Sequence, residues 1–150
     1  MNIARLIASG LGAGHAPGAP GTAGSLLALV LGVPLLIGPP WALPLAALAA
    51  VLGGVWAIRA ARAGGDPGWV VIDEVAGQWI AMLGLARPTW QGLLAAFVLF
   101  RLLDIAKPGP IGWADRQGGA AGVMADDVIA GAGAALILVA LRLTFPALLG

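Results

Sequence analysis

WVVIDEVAGQWIAML, residues 69–83, places two adjacent acids, Asp73 and Glu74, inside a run that is otherwise almost wholly apolar. Without those two residues the run reads as a membrane-buried helix. An Asp near the centre of a transmembrane helix costs roughly 2.5 to 3.5 kcal/mol on insertion scales. A chain that carries only 7 Asp and Glu among 150 residues does not set two of them there without a partner. What pairs with them decides the reading of the whole chain.

The surroundings of that stretch are those of a membrane protein. Hydrophobic residues make up 60% and charged residues 10% of the sequence, and mean hydropathy is +0.96. Soluble domains carry about a quarter charged residues. The length is that of one domain, 1–150. A net charge of +1 with no two adjacent bases gives no basis for nucleic-acid binding. With 0 Cys there is no disulfide framework, thiolate metal site or thiol nucleophile. The first residues, MNIARLIASGLG, hold one Arg and a short apolar run that leads into a Gly/Pro loop, and are read as retained.

In chain order, residues 3–11 suit a short interfacial helix. Gly10 to Gly24 is rich in Gly and Pro and is expected as loop, with Thr22 as N-cap of the next helix. Apolar segments follow at Ala23–Ile37, Trp41–Ile58, about 69–85, Trp90–Ile105 and Ala125–Leu143, separated by Gly/Pro turns and bases. The expected fold is all-α, a compact membrane-embedded bundle of about five to six hydrophobic helices. Several segments fall short of the roughly 20 residues of a full span, so a soluble hydrophobic bundle is the competing reading. Trp41, Trp69, Trp90 and Trp113 near segment ends suit an aromatic belt and favour the membrane.

Threading five segments from a cytoplasmic N-terminus puts Arg5, Arg59, Arg62, Arg101, Lys107 and Arg116 on the cytoplasmic side, as the positive-inside rule requires. The same threading has a second result that the charge count did not impose. Asp73 and Glu74 open the third segment at that side, Asp104 closes the fourth there, and Asp126 and Asp127 open the fifth. Five of the seven acids thus reach one membrane level from three helices. Each acid pair alone also reads as a dipole-favoured helix start, and Arg101–Asp104 as an intrahelical ion pair.

So many carboxylates at one level call for cations beyond the bases present. All-oxygen donors suit a hard divalent ion, Mg²⁺ before Zn²⁺ in a chain with no Cys and one His, His15. Mg²⁺ commonly bridges to phosphate and polarises it. Arg101, Lys107 and Arg116 are candidate phosphate clamps, and a Gly-rich loop at a helix start, with Thr22 and Ser25, is a candidate anion site. Together these point to phosphoryl chemistry on a lipid headgroup. One His argues against two-histidine phosphohistidine chemistry, and no Asp-x-Asp-x-Thr/Val motif is present.

Three blocks carry a family resemblance: APGTAGSL at 19–26, VIDEVAGQW at 71–79, and FRLLDIAKPGPIGWADR at 100–116 joined to DDVIAG at 126–131. In order and spacing the sequence resembles the phosphatidylglycerophosphatase A family of bacterial membrane enzymes. The resemblance implies an all-helical, Mg²⁺-dependent phosphoric monoester hydrolase that converts phosphatidylglycerol phosphate to phosphatidylglycerol, the cardiolipin precursor. It implies a multi-pass protein of the bacterial inner membrane with its site facing the cytoplasm. Matched residue by residue, Asp73, Glu74, Asp104, Asp126 and Asp127 would form the metal and catalytic centre. Thr22, Ser25, Arg101, Lys107 and Arg116 would bind the substrate phosphate. Many relatives have a Lys where Gly18 stands here.

Two further readings stay open at this stage. A small ion or metal transporter would spread its acids in depth across the membrane, whereas the phosphatase reading requires one level. A ligand-binding soluble bundle would be extracted without detergent. The oligomeric state is not legible.

Overall fold

The computed structural model describes residues 2–63 and 67–146 and is all-helical over them. Seven α-helices run in the order α1 (Ile3–Ala8), α2 (Pro20–Ile37), α3 (Ala42–Ala60), α4 (Ile72–Met82), α5 (Trp90–Ala106), α6 (Pro110–Asp115) and α7 (Gly119–Thr144), with a 3₁₀ turn at Ala13–His15. The expected bundle is present, with α1 where an interfacial helix was anticipated.

Helix α4, the opening stretch, is the centre of the packing. It is surrounded by α2, α3, α5 and α7, and Ile72, Asp73, Val75, Ala76, Gly77, Gln78, Ala81 and Met82 are all buried. Small residues make this possible. A Cβ on Gly131 of α7 would lie 2.3 Å from the Gly77 carbonyl oxygen, and one on Gly77 would lie 2.7 Å from that of Asp127. The two backbones therefore touch where the sequence offers no side chain, as small residues allow in membrane bundles. On the other flank the Trp79 indole Nε1 donates to the Ala28 carbonyl of α2 at 2.8 Å.

The outer faces are apolar. Val30, Leu52, Leu94, Leu102 and Leu136 are all more than half exposed, a surface far more apolar than water tolerates over a large contiguous area. Helices α2, α3 and α7 are long and apolar enough to cross a membrane. Trp41, Trp90 and Trp113 are exposed near helix ends. Trp69 lies under the Arg5 guanidinium, 4.9 Å from its ring centre, and stacks with His15 at 6.5 Å.

Helices α1 and α4 are shorter than the expected 3–11 and 69–85, and three further boundaries bear on the site. Helix α2 begins at Pro20, not beyond Gly24, so Gly21 to Gly24 are helical and Ala19, not Thr22, is the N-cap. Proline at the first helical position loses no hydrogen bond there and has its φ preset, so it starts the helix earlier than the Gly/Pro content suggests. The loop after α5 contains α6, which also opens on a proline, Pro110. Helix α7 begins at Gly119, so Asp126 and Asp127 lie about two turns inside it rather than at its start.

Candidate active site

Reversing direction at each turn, the chain brings the start of α2, the start of α4, the end of α5 and the early turns of α7 to one end of the bundle. They enclose a cavity of about 330 Å³ lined by Gly18 to Thr22, Gly68, Val70, Asp73, Glu74, Arg101, Asp104, Lys107, Asp126 and Asp127. All five acids singled out in the sequence line it, with Thr22, Arg101 and Lys107.

The carboxylates form two overlapping groups. Oxygens of Asp73, Glu74 and Asp127 lie within 4.8 Å of one another, as do oxygens of Asp104, Asp126 and Asp127. Asp127 belongs to both and is 3% exposed. It reaches that place because α7 runs against α4 at Gly77, which brings the start of α7 behind the acids of α4. Oε2 of Glu74 and Oδ2 of Asp127 are buried with no hydrogen-bond partner. Buried carboxylate oxygens left in that state are costly, and five all-oxygen donors at this spacing fit a hard divalent cation.

Two bases stand among the acids. Arg101 Nη1 donates to Asp104 Oδ2 at 2.6 Å and lies 3.9 Å from Glu74 Oε1. Lys107 caps α5 in the left-handed region, at φ 46°, where the chain turns toward α6. From there its ammonium donates to Asp126 Oδ2 at 2.6 Å and to Asp115. Burial works against the charge on Lys107, but the hydrogen bonds to Asp115 and Asp126 outweigh it and raise its pKa above the ordinary lysine value. The same ammonium holds the Asp115 carboxyl below its usual range. The Asp127 backbone N–H donates to Asp126 Oδ1 at 3.0 Å and fixes that carboxylate.

Helix α2 approaches the site end-on. A Cβ on Gly21 would lie 2.3 Å from Glu74 Oε1 and 3.2 Å from both terminal nitrogens of Arg101. Only glycine lets the first turn of α2, with its unpaired N–H groups, come this close to the acid–base pair. Ser25 lies one turn deeper and outside the cavity lining; it is fully buried and its hydroxyl donates to the Gly21 carbonyl at 3.0 Å. Arg116 is exposed just after α6 and also stands outside the lining. His15 faces Trp69, not the cavity. Gly18 is part of the cavity wall.

Two contributors were not assigned a role from the sequence. Asp115 is the second acceptor for Lys107, and the Pro-Gly-Pro at 108–110 that starts α6 was the available signal for the turn that delivers it. Gly21 was hidden in a stretch read as loop.

The family model for phosphatidylglycerophosphatase A matches residues 6–142. The chain belongs to the phosphatidylglycerophosphatase A family. A protein of that name from Escherichia coli (strain K12) is 41% identical over 138 residues, covering 89% of this chain and 80% of the relative. The phosphatidylglycerophosphatase A of Haemophilus influenzae is 38% identical over 147 residues, 95% of this chain and 90% of the relative. A Bacteroides thetaiotaomicron protein, named provisionally as a phosphatidylinositol-3-phosphatase, is 40% identical over 136 residues, 84% of this chain and 85% of the relative. No solved structure matches the chain. Membership in the phosphatidylglycerophosphatase A family makes the chain an enzyme, a phosphoric monoester hydrolase.

Proposed function

We propose that the chain is a Mg²⁺-dependent phosphatase of the bacterial inner membrane that hydrolyses phosphatidylglycerol phosphate to phosphatidylglycerol and phosphate at the cytoplasmic face, a step toward cardiolipin. The observation that carries this reading is the gathering of five carboxylates and two bases around one cavity beside the first turn of α2. The names of the two family relatives agree with it. The transporter reading requires acids spread along the membrane depth; here the acids of α4, α5 and α7 share one end of the bundle.

Asp73, Glu74, Asp104, Asp126 and Asp127 are the residues that would hold the metal. When bound, Mg²⁺ supplies positive charge to the phosphoryl oxygens and lowers the pKa of water. Arg101, Lys107 and the unpaired N–H groups at the start of α2 face the same cavity and stabilise the phosphoryl oxygens as charge builds on them. The phosphorus–oxygen bond to the glycerol breaks as an incoming oxygen bonds to phosphorus. A carboxylate of the cluster takes the proton from the attacking water. The leaving glycerol oxygen takes up that proton, which returns the carboxylate to its ionised form, and stays with the lipid in the membrane flanked by α2, α3 and α7.

Phosphate release from phosphatidylglycerol phosphate in detergent, with and without Mg²⁺, tests the reading for wild type and Asp73→Asn. Release is expected only with metal and only from wild type. Full metal-dependent turnover by the variant would remove Asp73 from the centre. The Bacteroides relative favours a second substrate, so phosphatidylinositol 3-phosphate is assayed beside the first. The higher kcat/KM is expected for phosphatidylglycerol phosphate, and the reverse order would move the assignment to the inositol lipid.

A further inference from the structure

Gln78 is the one uncharged polar side chain on the buried face of α4. It is fully buried, and neither its Nε2 nor its Oε1 has a hydrogen-bond partner among the described residues. A carboxamide brings two donors and two accepting lone pairs, and buried polar groups in folded proteins are satisfied by protein or by internal water. Its place on the helix says where that satisfaction comes from. Gln78 is four residues after Glu74, so the two side chains lie one above the other on a single stripe. Helical side chains lean toward the N-terminus, over the turn before their own Cα. The carboxamide of Gln78 therefore rises toward Glu74, whose Oε2 is also buried and unpartnered. Buried Ser25 stands one turn below Gly21, as Gln78 stands one turn below Glu74, and Gly21 abuts Glu74. A polar layer thus lies directly beneath the cavity and outside its lining.

We propose that Gln78 is a positioning residue of this site: its carboxamide and Glu74 Oε2 share an internal water that fixes the Glu74 carboxylate against Asp73 and Asp127. This rests on the reading of those acids as metal ligands. Groups one layer behind metal ligands commonly change metal affinity or activity by about 10- to 100-fold when removed. Gln78→Met keeps the length and approximate volume of the side chain and removes its hydrogen bonds. The variant is expected to bind Mn²⁺ about 10- to 100-fold more weakly than wild type, read by electron paramagnetic resonance in detergent with no lipid present. Its kcat falls while KM for the lipid stays unchanged. Val75→Ala, a buried apolar position of the core one turn before Gln78, controls for loosened packing: it lowers the unfolding temperature and leaves Mn²⁺ binding at the wild-type level. If Gln78→Met does not fold, Gln78→Asn, which holds the carboxamide one methylene short of Glu74, takes its place in the same titration.

Asp127→Asn separates the two layers of inference. Wild-type affinity for Mn²⁺ in the Gln78 variant, with binding lost in Asp127→Asn, overturns the role of Gln78 and leaves the metal centre standing. Equal loss in Gln78→Met and Val75→Ala overturns it too, since packing alone then accounts for the effect. No binding by wild type overturns both.

Discussion

Gly21→Ala should separate stability from activity, because the added methyl group strikes the site and not the fold. Its Cβ would lie 2.3 Å from Glu74 Oε1 and 3.2 Å from both terminal nitrogens of Arg101. Ordinary non-bonded contact lies near 3.5 Å, so the Glu74 carboxylate must withdraw by about 1 Å. Both neighbours are the far ends of flexible side chains, and no backbone atom stands in the way. A displacement of about 1 Å at a reacting centre costs on the order of 100-fold in rate, about 2.7 kcal/mol of transition-state stabilisation. Alanine meanwhile favours the helix over glycine by up to about 1 kcal/mol.

The expected result is an enzyme that unfolds at the wild-type temperature or slightly above it, with kcat/KM about 100-fold down. Phosphate release and thermal unfolding in the same detergent measure the two quantities. Gly53→Ala is the matched control: it also lies within a helix, α3, but an added Cβ there meets nothing within 4 Å. That variant should gain stability and keep its rate. A Gly21→Ala enzyme with wild-type kcat/KM would refute the claim that the closeness of α2 to Glu74 and Arg101 matters to the chemistry. A collapse in unfolding temperature would refute the claim that the clash is absorbed by side chains.

Three further substitutions probe other parts of the structure. Gly131→Ala drives a methyl group to 2.3 Å from the Gly77 carbonyl oxygen, a backbone atom that cannot swing aside; a loss of at least about 1 to 3 kcal/mol is expected in denaturant or thermal unfolding. Lys107→Asn keeps a residue that tolerates the left-handed backbone at this position but removes the charge shared by Asp115 and Asp126. Folding should survive, and kcat should fall by about 100-fold in the phosphate-release assay. Trp79→Phe removes the bond from the indole to the Ala28 carbonyl; about 1 kcal/mol of stability should go, with kcat/KM unchanged.

The fold was largely legible because hydrophobic runs and their Gly/Pro breaks survive in any context. The five long segments could be placed from those runs, and the turn-by-turn reversal that follows puts α4, α5 and α7 end to end at one level. Helix starts were less legible, for one physical reason. Pro20 and Pro110 sit within Gly/Pro stretches, and proline reads equally as a helix breaker or as a first helical residue. Only the surrounding packing decides. The misplaced start of α2 concealed Gly21, and the missed α6 concealed the approach of Asp115 to Lys107. For the same reason Thr22 was taken as a cap when it stands inside the first turn, and Ser25 as a phosphate contact when it is sealed one layer down. A side chain one helical turn from a site differs from one within it by only about 5.4 Å, which spacing along the sequence does not resolve without the neighbouring helix.

The corrected start of α7 strengthens the case for a bound cation. Had Asp126 and Asp127 opened that helix, its exposed N–H groups would have accounted for both acids, as they account in part for Asp73 and Glu74 in the first turn of α4. From Gly119, however, the pair lies about two turns in, where the dipole has faded and the local N–H groups are committed to the helix. Asp126 has Lys107 as partner, yet that ammonium is shared with Asp115. Asp127 sits deeper, 3% exposed, with Oδ2 unpartnered and other carboxylates on both sides. Arg101 is engaged by Asp104 and reaches Glu74 only at 3.9 Å. Five carboxylates therefore share two cationic side chains, and the one placed between both groups is the least compensated. The cavity lining holds no third base to pair with it, which leaves a proton or a cation from the cavity to offset its charge. On the proposed Mg²⁺-dependent reading a cation entering from the cavity would offset that charge, and Asp127, common to both carboxylate groups, is the residue whose replacement by Asn should weaken metal binding most.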